Sequence, residues 1–112
     1  MEVDFIREYA LSKPDVEESL PFGPDVLVFK VAGKVFLLLP LDTDILQFNV
    51  KCDPEKAIEL RETYAGIILP GYHMNKKHWN TILVNGSLSK KLLLNCIDDS
   101  YELVKPRKKR TP

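Results

Sequence analysis

Residues 26–39 read VLVFKVAGKVFLLL, which is two apolar runs separated by Ala32 and Gly33. Runs of this length and composition are typical of β-strands, and Gly33 supplies the positive φ angle that a tight turn requires. The stretch therefore predicts a β-hairpin. Because strands joined by a short turn run in opposite directions, the sheet that contains this hairpin is expected to be mainly antiparallel.

The segments on either side of the hairpin predict more strands and three helices. Residues 46–52 alternate apolar and polar side chains, which predicts a strand with one buried face. Residues 79–84 predict another strand, and the acidic residues 15–24 predict a short edge strand. Apolar spacing and capping residues predict helices near the N-terminus, at 54–63 and between residues 87 and 106. In the last helix, the apolar positions are Leu93, Cys96, Ile97, Tyr101 and Val104. This order of elements predicts a two-layer α+β domain, in which helices cover one face of the sheet.

The length of 112 residues allows one domain, which we place at residues 1–104, followed by a basic, flexible tail at 105–112. Residues 35–41 are the longest apolar run, far shorter than the ~20 residues that span a bilayer. The acidic N-terminus does not resemble a signal peptide. We therefore expect a monomeric cytoplasmic protein without membrane contact, in which Cys52 and Cys96 are reduced, buried thiols.

The charges are unevenly distributed, although 16 basic and 16 acidic side chains give a net charge of zero. Residues 63–97 contain no Asp or Glu but four lysines, Lys76, Lys77, Lys90 and Lys91. One interpretation is an electrostatic footprint for an anionic partner. The other is that this segment consists mostly of buried strand and helix, which have little use for carboxylates.

Residues 69–80 read LPGYHMNKKHWN and hold both histidines, the only tryptophan and two adjacent lysines. Lysines neutralise phosphates, an aromatic ring stacks on bases, and histidines gain positive charge on mild acidification. The candidate nucleic-acid-binding residues are His73, Asn75, Lys76, Lys77, His78 and Trp79, with Lys90 and Lys91 at the start of the last helix.

This stretch resembles the MmcQ/YjbR family, whose proteins carry a PG-x-HMNKxHW segment here. The resemblance continues through residues 85–88 and 97–104 and covers about residues 1–104. It implies a compact α+β fold with an antiparallel sheet, of the kind grouped with secretion-chaperone-like folds. Members are commonly labelled DNA-binding, on the basis of a proposed double-wing arrangement. The resemblance therefore implies weak, sequence-independent DNA binding through the Lys/His/Trp loop.

An alternative to DNA binding remains open. In this alternative the chain is a protein-interaction module without enzymatic activity, because an exposed strand edge can pair with another chain. In that case Trp79 belongs to the core and the lysines only solvate a loop. We expect no metal and no cofactor, since His73 and His78 lack further ligands at metal-binding spacing and no phosphate-binding or dinucleotide motif is present. The basic tail attracts nucleic acid without preference or keeps the terminus soluble.

Overall fold

The hairpin predicted at residues 26–39 lies within an antiparallel sheet. The computed structural model describes residues 2–71 and 74–106, and within these residues the chain forms three α-helices and six β-strands. In chain order the elements are α1 (Val3–Leu11), β1 (Val16–Ser19), β2 (Val26–Val31), β3 (Lys34–Pro40), β4 (Gln47–Lys51), α2 (Pro54–Thr63), β5 (Ile68–Pro70), β6 (Trp79–Leu83) and α3 (Lys90–Val104). The strand order is β1-β2-β3-β4-β6-β5, and every neighbouring pair is antiparallel. The prediction of a two-layer α+β domain is confirmed.

The turn between β2 and β3 consists of Ala32 and Gly33, whose φ angles are 51° and 78°. Positive φ at both central residues matches the right-handed twist of the flanking strands. The pairing shifts after Phe29, so that β3 carries one extra residue, Phe36. A bulge of this kind changes the direction of side chains, and here Phe36 and its neighbour Leu37 both belong to the core.

The core lies between the sheet and the helices α1 and α3. Ser100 of α3 links the two layers, because its hydroxyl donates to the Phe36 carbonyl at 2.5 Å and accepts from the Lys51 N–H at 2.9 Å. The rings of Phe36 and Tyr101 meet edge to face with their centroids 5.4 Å apart. Helix α3 is therefore fixed over β3 and β4 by polar and apolar contacts together.

Several local predictions are confirmed. The five apolar positions predicted for the last helix are all buried. Cys52 and Cys96 are free thiols and both are buried. The Asp53 carboxylate accepts from the Lys56 N–H at the start of α2, and Pro54 is the first helical residue. Among the described residues, no helix is both long and apolar enough to cross a membrane.

Two details were not predicted from the sequence pattern. No strand was placed between the helix at 54–63 and residues 79–84, but Ile68–Pro70 forms β5 and pairs with β6. Three residues are too few to show the period of a strand. The polar side chains of β4 were expected on a solvated face, but Asn49 is buried, and the Thr81 hydroxyl donates to its side-chain oxygen.

Candidate nucleic-acid interface

The two faces of the sheet differ because successive residues of a strand point to opposite sides. Phe48 and Val50 of β4 belong to the core cluster, which also contains side chains of α1 and α3. Leu60 of α2 packs against the same cluster. We call this side the covered face. Asn49 and Lys51 of β4 therefore lie on the opposite side. We call it the free face because the core side chains of the described helices pack on the other side, although its residues have partners of their own, such as Thr81 with Asn49.

The free face follows from the strand register. On β2 to β6 it comprises Val26, Val28, Lys30, Val35, Leu38, Pro40, Gln47, Asn49, Lys51, Leu69, Trp79, Thr81 and Leu83. Its central row is buried, whereas Lys30, Lys51 and Trp79 are half-buried. Two members are lysines and none is acidic. At the sheet edge, β1 adds one carboxylate, Glu17, opposite Lys30.

Trp79 lies at the start of β6, directly opposite Lys51 of β4. Directly paired residues of antiparallel strands have Cβ atoms about 5 Å apart. On its other side Trp79 faces Gly71, whose N–H donates to the Trp79 carbonyl at 2.8 Å. A Cβ atom at position 71 would lie 2.7 Å from the Trp79 Cβ. The glycine is therefore required for this close approach, and it leaves room for the Trp79 side chain on the free face.

The turn at residues 74–78 enters β6 and is held by hydrogen bonds from three directions. The Asn75 side chain accepts from the Lys77 N–H at 2.9 Å, and its carbonyl accepts from the Trp79 N–H at 3.0 Å. Arg61 of α2 donates to the Lys76 carbonyl, and the Cys52 N–H donates to the His78 carbonyl at 2.7 Å. The backbone of the turn is therefore fixed.

The side chains of Lys76 and Lys77 are exposed, and neither forms an ion pair with any residue that the structure describes. His78 is half-buried. The turn leads directly into Trp79, which pairs with Lys51, so these four cationic or aromatic residues lie at the same end of the sheet. We call the group of Lys51, Lys76, Lys77 and Trp79 the Lys/Trp cluster.

The second lysine pair lies elsewhere. Lys90 and Lys91 begin α3, after the far end of β6, and β6 is about 14 Å long at the usual rise per residue. The Lys90 ammonium lies over the Phe5 ring of α1, 4.0 Å from its centroid. The structure therefore places the two predicted lysine pairs at opposite ends of the sheet. His73 and residues 107–112 of the predicted tail lie outside the described residues.

Sequence reasoning missed Lys30 and Lys51 as candidates. Lys51 stands at a polar position of the alternating strand β4, so the period of two already indicated its face. Lys30 lies in a strand that is apolar on both sides, and only the register through β3 brings it to the same face. The unusual composition of the acid-free residues 63–97 indicated other lysines instead. Trp79, which one interpretation placed in the core, is half-buried and belongs to the free face.

The thiols offer no activated nucleophile. Burial raises the pKa of Cys52, and burial, with a smaller contribution from the Asp99 charge, raises the pKa of Cys96 to about 12. Both are therefore protonated thiols near neutral pH, whereas reactive cysteines have lowered pKa values. Within residues 2–71 and 74–106, no group of three or more His, Cys, Asp or Glu side chains is placed to hold a metal ion.

Known proteins are similar to this chain in sequence. It is 42% identical over 98 residues to the uncharacterised protein YbdF of Escherichia coli O157:H7, covering 88% of this chain and 80% of YbdF. It is 28% identical over 102 residues to the uncharacterised protein YjbR of Escherichia coli K12, covering 91% of this chain and 86% of YjbR.

Solved structures share the fold. The crystal structure of DR2400 from Deinococcus radiodurans, a DUF419 domain, has a TM-score of 0.87 at 38% identity and covers 91% of this chain and 77% of DR2400. A crystal structure of a Pseudomonas syringae protein has a TM-score of 0.80 at 32% identity and covers 94% of this chain and all of that one. The model of the YjbR family matches residues 11–103. The chain belongs to the YjbR family.

Proposed function

We propose that this protein binds DNA weakly and without sequence preference, through the free face of the sheet and the turn at residues 74–78. The observation that carries the proposal is the Lys/Trp cluster. Its lysines form no ion pair within residues 2–71 and 74–106, and they lie with a half-buried tryptophan at one end of the sheet, where the free face carries no carboxylate on β2 to β6. Lysines that neutralise phosphates supply affinity of this kind, and it carries no sequence information.

The net charge of the whole chain limits the affinity that this proposal predicts. Residues 1–104 carry 11 basic and 16 acidic side chains, which gives a net charge of −5 with neutral histidines. Most nucleic-acid modules are clearly basic, with a pI above ~9, whereas the pI of this chain is about 6.7. Binding is therefore expected to be weak and to require low salt.

The fixed backbone of the turn supports the proposal as well. Because Arg61 and Asn75 hold residues 74–78 in place, Lys76 and Lys77 present their charges without the backbone having to order first. Preorganisation of this kind lowers the entropic cost of binding.

A labelled oligonucleotide titrated at low salt tests the proposal by fluorescence anisotropy. The site variant is Lys76→Ala with Lys77→Ala. The matched control is Lys90→Ala with Lys91→Ala, which removes the same charge at the other end of β6. A third variant ends at Pro106 and lacks four of the five basic residues of the tail, those at positions 107–110.

Loss of affinity in the site variant, with a salt slope smaller by roughly one unit per lost phosphate contact, is the expected result. The control at Lys90 and Lys91 should retain most of the affinity. Loss only on truncation after Pro106 would show that the tail alone binds, and absence of binding by the parent chain would remove the proposal.

A second candidate, a protein-interaction module, is favoured by the other end of the sheet. The loops at residues 20–25 and 41–46 are joined by a hydrogen bond from the Leu41 N–H to the Asp25 carbonyl at 2.7 Å. They expose apolar side chains, most of all Phe22, which is 73% exposed. Adjacent exposed apolar side chains mark interaction sites. Co-purification with one specific chain, without retention on a polyanion matrix, would favour this candidate.

A further inference from the structure

We infer that the ligand of the free face is single-stranded rather than duplex nucleic acid, with a base stacked on Trp79 and phosphates near Lys51, Lys76 and Lys77. The inference rests on the proposed function and adds the class of ligand. Three features of the free face carry it: the placement of its aromatic ring, the narrow cationic strip that ends at the Glu17 carboxylate, and the register that sets Lys51 beside the ring.

The aromatic ring is placed on a sheet surface, where bases can reach it. Trp79 is half-buried on the free face, with Gly71 beside it, and the chain contains no other tryptophan. Single strands offer unstacked bases that aromatic side chains on sheets bind by stacking. In a duplex both sides of each base are already stacked, so the indole ring would gain nothing unless base pairs opened.

The cationic strip is narrow. It extends from Lys30 on β2 to Trp79 on β6, which is three strand spacings or about 14 Å. At one end of the strip, Glu17 of β1 stands opposite Lys30. A single phosphate chain beside Lys51 and Trp79 avoids this carboxylate, whereas the second chain of a duplex would bring its own phosphates towards it.

The register also places a positive charge beside the ring. Lys51 is directly opposite Trp79, and the turn that carries Lys76 and Lys77 leads straight into Trp79. A nucleotide stacked on Trp79 therefore lies next to Lys51 and at the same end of the sheet as Lys76 and Lys77. Since the phosphates are joined to the base through one flexible sugar, a single strand can satisfy both kinds of contact at once.

Intrinsic fluorescence reports on this site directly, because Trp79 is the only tryptophan of the full chain. The chain is titrated at low salt with oligo(dT), oligo(rU), a mixed-sequence duplex of equal length, and heparin, which is a polyanion without bases. Saturable quenching by either single strand is expected, with an affinity at least about tenfold above that of the duplex. Heparin is expected to bind without quenching.

Replacement of the ring provides a second readout, by anisotropy of labelled oligo(dT). Trp79→Leu should lose about tenfold or more in affinity, whereas Trp79→Phe keeps a ring and should lose much less. If the leucine variant does not fold, as judged by circular dichroism, the quenching series and the phenylalanine variant still decide.

Tighter binding of the duplex, with unchanged tryptophan emission, would overturn the inference while the proposed function stands. Equal quenching by heparin would also overturn it, because the emission change would then need no base. If no single strand, duplex or heparin bound at low salt, the proposed function itself would fail, and the inference with it.

Discussion

The two faces of the sheet are formed by the same strands but differ in burial and in the kind of side chain that they carry. On β4, Phe48 of the covered face is fully buried in the core, whereas Lys51 of the free face is half-buried and stands opposite Trp79. A change at Phe48 creates a cavity in the core, whereas a change at Lys51 or Trp79 removes a charge or a ring from the proposed binding site. The comparison therefore sets a core position against a proposed binding position within a single strand.

One residue connects the two faces. Asn80 follows Trp79 on β6, points to the covered face and is only 1% exposed. Its side-chain oxygen accepts from the Arg61 Nε at 2.7 Å, while the same guanidinium donates to the Lys76 carbonyl. A polar contact on the covered side thus holds the turn that carries Lys76 and Lys77.

The largest effect is expected on the covered face. Phe48→Ala should reduce the free energy of unfolding by about 3–5 kcal/mol, because it removes a fully buried ring and leaves a cavity. Urea unfolding measures this directly. The matched control is Lys51→Ala on the free face of the same strand, which should change stability by about 0.5 kcal/mol or less. Similar losses in the two variants would break the distinction between the faces.

An intermediate effect is expected where stability and recognition meet. Gly71→Ala should cost about 1–3 kcal/mol, because the new Cβ would lie 2.7 Å from the Trp79 Cβ and 3.0 Å from its carbonyl oxygen. The variant should also shift the emission of Trp79 and weaken oligonucleotide binding.

The control for this variant is Gly86→Ala. Gly86 has a φ angle of 91° with open space around it, so alanine there is strained but meets no neighbour. That variant should cost about 1–2 kcal/mol at most and leave Trp79 emission unchanged. A Gly71→Ala chain with normal emission and affinity would show that the close approach does not position the ring.

The smallest effect on stability is expected at alkaline pH, where Tyr9 of α1 loses the proton that it donates to Asp98 of α3. The Tyr9 hydroxyl donates to Asp98 at 2.7 Å, and this bond, helped by burial and by the Asp98 charge, raises the pKa of Tyr9 from 10.0 to about 12. The folded state then holds a proton that the unfolded state has lost, so this contribution to stability is complete below pH 10 and disappears towards pH 12.

Comparing Tyr9→Phe with the parent chain isolates this contribution, since Cys96 loses stabilisation over a similar range. The difference in unfolding free energy between the two chains should shrink as the pH rises from about 10 to about 12. A difference that stayed constant over this range would show that the hydrogen bond to Asp98 does not govern the ionisation of Tyr9.

Local sequence pattern was sufficient for most of the fold. The hairpin, the strand at β4 and the apolar positions of α3 follow from periods of 2.0 and 3.6 and from turn and capping residues, all of which act over a few neighbours. The short strand β5 could not be found in this way, because it exists through pairing with β6 rather than through its own three residues.

The candidate site was less predictable, because it depends on pairing between distant segments. Trp79 is 28 positions from Lys51 in the sequence, yet the two stand opposite each other in the sheet. Conversely, the pairs Lys76/Lys77 and Lys90/Lys91 are near in sequence but are separated by the whole of β6. Spacing along the chain shows neither relation, since strand order is set by the packing of the complete sheet.

The central claim is that the free face, rather than the start of α3 or the tail, contacts nucleic acid. Backbone amide chemical shifts, followed by two-dimensional NMR during titration with oligo(dT) at low salt, test it residue by residue. We expect the largest changes at Lys51, Lys76, Lys77 and Trp79, with small changes at Lys90 and Lys91. Changes confined to Lys90, Lys91 or residues 107–112, with β4 and β6 unaffected, would contradict the account.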